Sequence, residues 1–299
     1  MAKAKPFIKW VGGKSQLIEQ LEALLPADFA ERENVTYIEP FVGGGAMLFY
    51  MLQTYPNIKS AVINDINPNL TLCYQIVRDN PTDLIKSLNA IQSEYYALQS
   101  EDARKSFFIQ QRDRFNTKSL NPIENSTLFF FLNRTCFNGL YRVNKAGKFN
   151  VPFGKYTTPT ICDSATIYAD SKLLQNVEIL TGDFEQTFTK IKGNTFFYFD
   201  PPYRPLSNTS SFNNYTKEDF NDDAQIRLKK FCDRLNENGI DFMLSNSDCL
   251  NQNGTDRFFD DLFNEYKIKR VWASRSINAI ASKRGKLTEI VVNNYHYRY

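Results

Sequence analysis

The chain has 299 residues, 42% of them hydrophobic and 14% aromatic, with 36 basic against 33 acidic residues and a formal charge of +3. That length fills one large domain or two modest ones, and the apolar fraction supports a packed core. Five cysteines without a C-x-x-C pair, and one histidine, His296, four places from the end, speak against a disulfide framework, a zinc site and histidine-based catalysis. No metal site is expected.

The first residues, MAKAKPF, lack the pattern of a secretory signal, and apolar runs such as 128–132 are too short to span a bilayer. A soluble, cytoplasmic protein is expected. Residues 1–18 contain no acid and carry Lys3, Lys5, Lys9 and Lys14. Gly12-Gly13-Lys14-Ser15 invites a phosphate-loop reading, but Ile8 stands where that motif needs its first glycine and no strand precedes it. Residues 16–25 read as a helix, which places Lys14 near a helix start as a partner for a carboxylate.

A strand over 36–39 runs into Glu39-Pro40-Phe41-Val42-Gly43-Gly44-Gly45, and a helix over 46–54 follows. Glycines at a strand-to-helix turn let backbone approach a ligand closely and expose helix N–H groups. Asp65 closes the next strand, 61–64, where an open α/β sheet sets a carboxylate against ribose hydroxyls. The string is not G-x-G-x-x-G, so a nucleoside without phosphates fits better than a dinucleotide. The glycines alone leave open a tight turn with no ligand.

Helical periodicity then dominates, over 81–98, 102–116 and 125–133. Residues 136–156 follow, with the turn-forming Asn144-Lys145-Ala146-Gly147 between apolar flanks, which predicts a hairpin. No acid occurs over 125–162, which carries Arg134, Arg142, Lys145, Lys148 and Lys155. The pattern predicts a helical insertion with a basic hairpin over 75–165, set into an α/β domain formed by 1–74 and 166–299. Further strands are expected over 178–181, 195–199, 241–244, 268–273 and 289–293. Several are continuous apolar runs, as in strands covered on both faces. A third acid-free stretch, 266–288, holds Lys267, Lys269, Arg270, Arg275, Lys283, Arg284 and Lys286. Such focused charge suits a polyanion, though three unrelated solvated faces would look the same.

The apolar strand TFFYF (195–199) ends in Asp200-Pro201-Pro202-Tyr203, and a polar segment, 207–214, comes soon after. The end of a central strand is where such sheets place their chemistry. The tetrapeptide suits activation of an adenine exocyclic amine, whose lone pair is delocalised into the ring. The Asp200 carboxylate and the Pro201 carbonyl can each accept one N–H and free that lone pair. Pro201 and Pro202 stiffen the loop. Tyr203 offers a face to a base drawn out of a duplex. A cationic methyl donor would be stabilised by aromatic faces such as Trp10 or Phe41.

These residues carry a resemblance. FIKWVGGK (7–14), YIEPFVGGG (37–45), NDIN (64–67), NRTCFNGLYRVNKAGKFNVPFGKY (133–156), GDFE (182–185), FDPPYRPLS (199–207), LSNSD (244–248) and RGKLTEIVVNNY (284–295) run nearly end to end. The sequence resembles the Dam-type DNA adenine-N6 methyltransferases (D12 class, α group), most closely the Dam-like GATC modification enzymes of restriction systems. The resemblance implies a Rossmann-like seven-stranded sheet with an inserted target-recognition domain, S-adenosylmethionine as cofactor and double-stranded DNA as substrate. It implies that Trp10 and Lys14 contact the cofactor's methionine end. Glu39, Phe41, Gly43 and Gly45 would line its pocket, Asp65 would hold the ribose and Asp183 and Phe184 would meet its adenine. Asp200 would serve both cofactor and target amine.

For DNA, the resemblance implies that Asn138 fills the gap left by the flipped adenine beside an intercalating Phe137. Leu140 and Pro152 would touch thymine methyls, and Arg142 and Lys9 would read guanines, pairings that follow groove chemistry. Phosphate contact alone is the simpler role for Arg142 and Lys9. Phe137 replaces a Tyr found in some members, and Val11 an Ala or Thr. A monomer is expected, with a restriction endonuclease as system partner but no stable complex. The same chemistry on another DNA site or on RNA, and a catalytically silent DNA-binding homologue, are the competing readings.

Overall fold

The computed structural model describes residues 2–117, 119–204, 220–251, 254–274 and 286–297. The polar segment 207–214 and the basic residues Arg275, Lys283 and Arg284 lie outside them, as does part of the 199–207 block.

Seven strands form one sheet: β1 (Val35–Glu39), β2 (Ile58–Asp65), β3 (Val177–Thr181), β4 (Thr195–Phe199), β5 (Asp241–Ser247), β6 (Lys267–Ser274) and β7 (Lys286–Asn293), in the order β3-β2-β1-β4-β5-β7-β6. The first five pair in parallel; β7 runs antiparallel between β5 and β6. This is the Rossmann-like sheet that the resemblance implies. All seven expected strands form, several of them a few residues longer than their apolar cores.

The sequence TFFYF shows why the central strands read as unbroken apolar runs. Successive side chains alternate faces. Phe196 and Tyr198 join a cluster with Tyr37, Leu48, Phe49 and Tyr74. Phe197 and Phe199 join another on the opposite side, with Leu228, Phe231 and Leu235. Those three and Cys232 recur at helical spacing on α8 (Asp222–Glu237), so one stripe of that helix is buried. Each such side chain contributes about 1.5–3 kcal/mol through burial.

On the other face lie α2 (Ala46–Thr54), α3 (Pro68–Asp79) and α7 (Ser164–Leu174); α1 (Ile18–Glu22) precedes β1 and α9 (Phe258–Leu262) follows β5. The helix expected over 16–25 is short, because a 3₁₀ turn at Lys14–Gln16 comes first. Between α3 and α7 the chain makes α4 (Pro81–Ala97), α5 (Glu101–Phe115) and α6 (Pro122–Thr135). α6 begins earlier than its apolar run. Asn121 and Glu124 form a reciprocal capping box and Pro122 takes the first helical position. Phe107, Phe129, Phe130 and Phe131 pack into the same cluster as α2 and α3, so the inserted helices share one core with that face of the sheet.

The expected hairpin over 136–156 doubles back as an antiparallel excursion but builds no continuous ladder. Two isolated bridges, Cys136 to Phe153 and Val143 to Phe149, hold it. Asn144 closes the turn by accepting from the backbone N–H of Ala146 and Lys148. Asn138 has φ +54°, a left-handed conformation that asparagine tolerates and that interrupts strand pairing between the two bridges. No described helix is long and apolar enough to cross a membrane. All five cysteines are free, and four are buried.

Candidate active site

The strand order reverses between β1 and β4. Their C-terminal ends therefore diverge over a crevice, where open α/β sheets bind ligands. Glu39 ends β1, Asp65 ends β2 and Asp200 follows β4. Because β7 is antiparallel, its early residue Glu289 comes to the same edge. Sequence reasoning did not single out Glu289.

Lys14 organises the group. Its ammonium lies 2.9 Å from Asp200 and 2.8 Å from Glu289, and it donates to the Tyr203 hydroxyl at 2.5 Å. Three donors meet three acceptors. The Lys14 side chain is only 3% exposed, against 20% for Asp200 and 15% for Glu289. The cation also lies 4.7 Å from the centre of the Tyr203 ring, at its hydroxyl edge, which leaves the ring's faces uncovered by it. Burial works against the Lys14 charge but is outweighed by Asp200, Tyr203 and Glu289, which hold its pKa well above the ordinary value. Burial pushes the Asp200 carboxyl up to about 6; Lys14 opposes the rise, Glu289 adds to it and a hydrogen bond from Ser245 opposes it. Burial likewise raises Glu39 well above the carboxylate range, against a 3.0 Å hydrogen bond from Tyr37.

The Asp200 loop is fixed from both sides. The Ser245 hydroxyl lies 3.5 Å from Asp200 Oδ1. Gln225 donates to the Pro202 carbonyl at 3.2 Å and accepts from Asn246 at 3.1 Å, a buried relay from α8 and β5. Pro201 is buried; Pro202 and Tyr203 are exposed. Arg204 then pairs with Asp222 and Asp256 and covers the Phe258 ring. None of these partners carries a local sequence signal.

The glycine turn stands opposite. Gly43 has φ +49°, and a Cβ there would lie 2.8 Å from the Trp10 ring, so glycine is needed on both counts. Gly45 caps α2. Trp10 stacks on Tyr141, ring centres 5.9 Å apart. Asp65 accepts from the N–H of Gly43 at 3.2 Å and of Asn67 at 2.9 Å. Burial raises its carboxyl to about 6 against these bonds. Phe41 packs on Phe184 at 5.2 Å, and Asp183 caps the 3₁₀ turn Phe184–Lys190 and pairs with Arg227. Trp10, Lys14, Glu39, Phe41, Gly43, Asp65, Asp183, Phe184 and Asp200 thus line one edge of the sheet. Asp65, Asp200 and Glu289 against one buried lysine leave an excess of negative charge that suits a cationic nucleoside and repels a pyrophosphate.

The residues expected at DNA form a second group. Phe137 and Asn138 are exposed at a tip with Pro152, whose carbonyl accepts from the Phe137 N–H at 2.9 Å. Leu140 is half-buried. Arg142 is held by Asn150, through Nε to Oδ1 at 2.9 Å and through the terminal nitrogen to the carbonyl at 3.3 Å. Lys9 is exposed, with its ammonium 5.0 Å from the Tyr156 ring centre. A cavity of about 280 Å³ lined by Lys5, Phe7, Arg134 and Asp163 involves none of the residues of the strand-end group. Among the described residues no cluster of histidine, cysteine and carboxylate side chains could hold a metal.

Residues 10–277 match the family described as D12 class N6 adenine-specific DNA methyltransferase. The chain is 47% identical over 296 residues to the Type II methyltransferase M.MjaIII of Methanocaldococcus jannaschii, covering 98% of this chain and 100% of that protein. It is 38% identical to the Type II methyltransferase M1.LlaDCHI of Lactococcus lactis subsp. cremoris, covering 97% and 95%. It is 33% identical to the DNA adenine methylase of Haemophilus influenzae, covering 97% and 93%. A match across nine-tenths of the chain, carried by a carboxylate at the end of β4 and a glycine turn at the end of β1, leads to one conclusion: the chain belongs to the D12 class of N6 adenine-specific DNA methyltransferases.

Proposed function

We propose that this enzyme takes S-adenosylmethionine as methyl donor and methylates N6 of an adenine flipped out of double-stranded DNA, within GATC. The observation that carries the reading is the Lys14–Asp200 pair at the β4 edge, facing Asp65 and the glycine turn. The residues fit the cofactor. A Cβ at Gly43 would collide with Trp10, so glycine there lets the Trp10 ring close onto the turn as an aromatic face for a cation, and the acidic surroundings complement a sulfonium. When bound, the cofactor supplies an electrophilic methyl group.

In this reading Asp65 holds the ribose hydroxyls, Asp183 and Phe184 meet the adenine, and Glu39, Phe41, Gly43 and Gly45 shape the pocket. Trp10 and Lys14 reach the methionine end. Since Lys14 already satisfies three acceptors, one of them must share it with the cofactor carboxylate. Asp200 and the Pro201 carbonyl accept the two N–H groups of the target amine, with Pro202 stiffening the loop and Tyr203 beside the base. Near pH 7 Asp200, with its pKa near 6, is mostly ionised and can take and release the proton that the methylated amine loses.

Residues 1–74 and 166–299 form the catalytic part and 75–165 the target-recognition part. Phe137, Asn138, Leu140, Arg142, Pro152 and Lys9 contact the bases. The names of the two Type II relatives support a restriction endonuclease as system partner; we take the enzyme to be monomeric and cytoplasmic. The test is tritium transfer from labelled S-adenosylmethionine to duplexes with and without GATC. Incorporation confined to GATC is expected. Equal incorporation without GATC removes the site assignment, and none under any condition leaves a silent homologue.

A further inference from the structure

The segment before Trp10 and the turn 137–140 belong to parts of the chain far apart in sequence, yet one side chain joins them. Asn133, near the end of α6, is 3% exposed. Its Oδ1 accepts from the Lys9 N–H at 2.8 Å. Its Nδ2 donates to the Lys9 carbonyl at 2.8 Å and to the Gly139 carbonyl at 2.9 Å. Both donors of the amide are used, and its oxygen is engaged.

Bonding both the N–H and the C=O of one residue imitates a neighbouring strand. It fixes the peptide planes on both sides of Lys9, and so the direction in which the Lys9 side chain leaves and the entry into Trp10. The third bond ties the same amide to the turn that carries Phe137 and Asn138. Contact is direct as well. Gly139 has φ +65°, and a Cβ there would lie 2.5 Å from Lys9 Cδ and 2.7 Å from Lys9 Cβ. On the other side Trp10 lies against Gly43 and stacks on Tyr141. A continuous chain of contacts therefore runs from the glycine turn through Trp10, Lys9 and Asn133 to the turn 137–140 of the recognition excursion.

We propose that Asn133 is a positioning residue that couples the DNA-reading turn 137–140 to the cofactor-binding segment 9–14, so that seating DNA on one sets the backbone of the other. This rests on the DNA and cofactor roles proposed above. Asn133 meets neither ligand. It acts through Lys9, whose side chain it aims at the duplex, and through Trp10, whose ring it holds at the cofactor turn. A neutral apolar replacement such as Asn133→Leu keeps the branched outline, with a larger volume, but removes all three bonds. Asn133→Asp keeps the acceptor for Lys9 N–H and sets a carboxylate oxygen against two carbonyls.

The experiment measures S-adenosylmethionine binding to the full chain, using the non-reactive analogue sinefungin, alone and with a saturating GATC duplex. Methylation of GATC and of single-base variants is measured in parallel. In the wild type the duplex should tighten sinefungin binding by about fivefold or more, the lower end of usual coupling between sites. In Asn133→Leu, binding without DNA should stay within about twofold, the coupling ratio should fall towards one, and discrimination at the guanine read by Lys9 should drop about tenfold. Gly139→Ala reaches the junction from the opposite side and should produce the same loss, which keeps the test open where Asn133→Leu does not fold. A variant with full coupling and full discrimination overturns the inference. So does a wild type without coupling, or equal weakening of sinefungin with and without DNA, which would mark a purely structural role. Lys9→Ala separates the two levels. If it leaves discrimination intact, the DNA-reading assignment of Lys9 fails. If it abolishes discrimination while the Asn133 variants do not, only the coupling fails.

Discussion

The Lys14 ammonium lies 2.9 Å from the Asp200 carboxylate, and the lysine side chain is almost wholly buried. The carboxylate proposed to hold the target amine is therefore half of an ion pair whose other half lies far away in the sequence. Glu289, 2.8 Å from the same ammonium, leaves the trio with one excess negative charge.

Lys14→Met should destabilise the protein. Removing one partner of a buried pair typically costs about 3–5 kcal/mol. Water reaches part of Asp200 and Glu289, so about 2–3 kcal/mol is expected here. Urea unfolding at pH 7 checks it, and a variant as stable as the wild type would show that solvent already screens the pair.

Glu289→Gln should shift the acid limb of kcat to lower pH. The ionised Asp200 carboxylate is the stronger acceptor for an amine N–H and alone can take up its proton, and burial sets its carboxyl near 6, so turnover in the wild type should fall as pH drops through that value. Glu39, Tyr198, Tyr203, Ser245 and Lys14 also face this site and remain unchanged. Removing the like charge of Glu289 favours the ionised form and lowers the pKa. A limb that stays in place or moves upwards contradicts the assigned electrostatics.

Asp170 on α7 gives a stability prediction remote from catalysis. It is fully buried; Oδ1 accepts from the Lys5 N–H at 3.0 Å, while Oδ2 has no hydrogen-bond partner. Burial raises its carboxyl to about 8, above the unfolded value of 3.8. A raised acid pKa means that the folded state binds the extra proton. Its stabilisation is complete below the unfolded value and is lost as pH rises towards 8. Asp170→Asn mimics the protonated form and should stabilise the protein at pH 9 by roughly 1–3 kcal/mol, with a much smaller gain at pH 5. Chemical denaturation at the two pH values gives the answer, and an equal effect at both would refute the titration.

Gly43→Ala should weaken methyl-donor binding and stability together. The new Cβ would meet the Trp10 ring at 2.8 Å, and the backbone there is left-handed. Alanine at a positive φ costs more than about 1 kcal/mol. Calorimetric titration with sinefungin and a thermal melt measure the two losses; unchanged binding would remove Trp10 and Gly43 from the donor site.

Much of this was readable in the residues. The tetrapeptide after TFFYF, the glycine turn and Asp65 each announce themselves by local pattern, and each sits at a strand end. Glu289 did not, because its place depends on β7 running antiparallel between β5 and β6, and hydrophobic periodicity carries no strand order. Asn133 looks like an ordinary polar position near a helix end; only the tertiary approach of Lys9 and Gly139 reveals three bonds. α3 was missed although its cap, Asn67, and its first residue, Pro68, form a helix-start signature directly after β2. The hairpin failed to form a ladder because Asn138 and Gly139 both take positive φ between its two bridges.

The most direct test of the account is a single-turnover measurement of methyl transfer to a GATC duplex by Asp200→Ala, with the duplex affinity and melting curve of the same preparation. Binding and folding should stay near wild type while transfer falls by several orders of magnitude. Transfer at a rate close to wild type would show that the carboxylate at the end of β4 does not hold the amine.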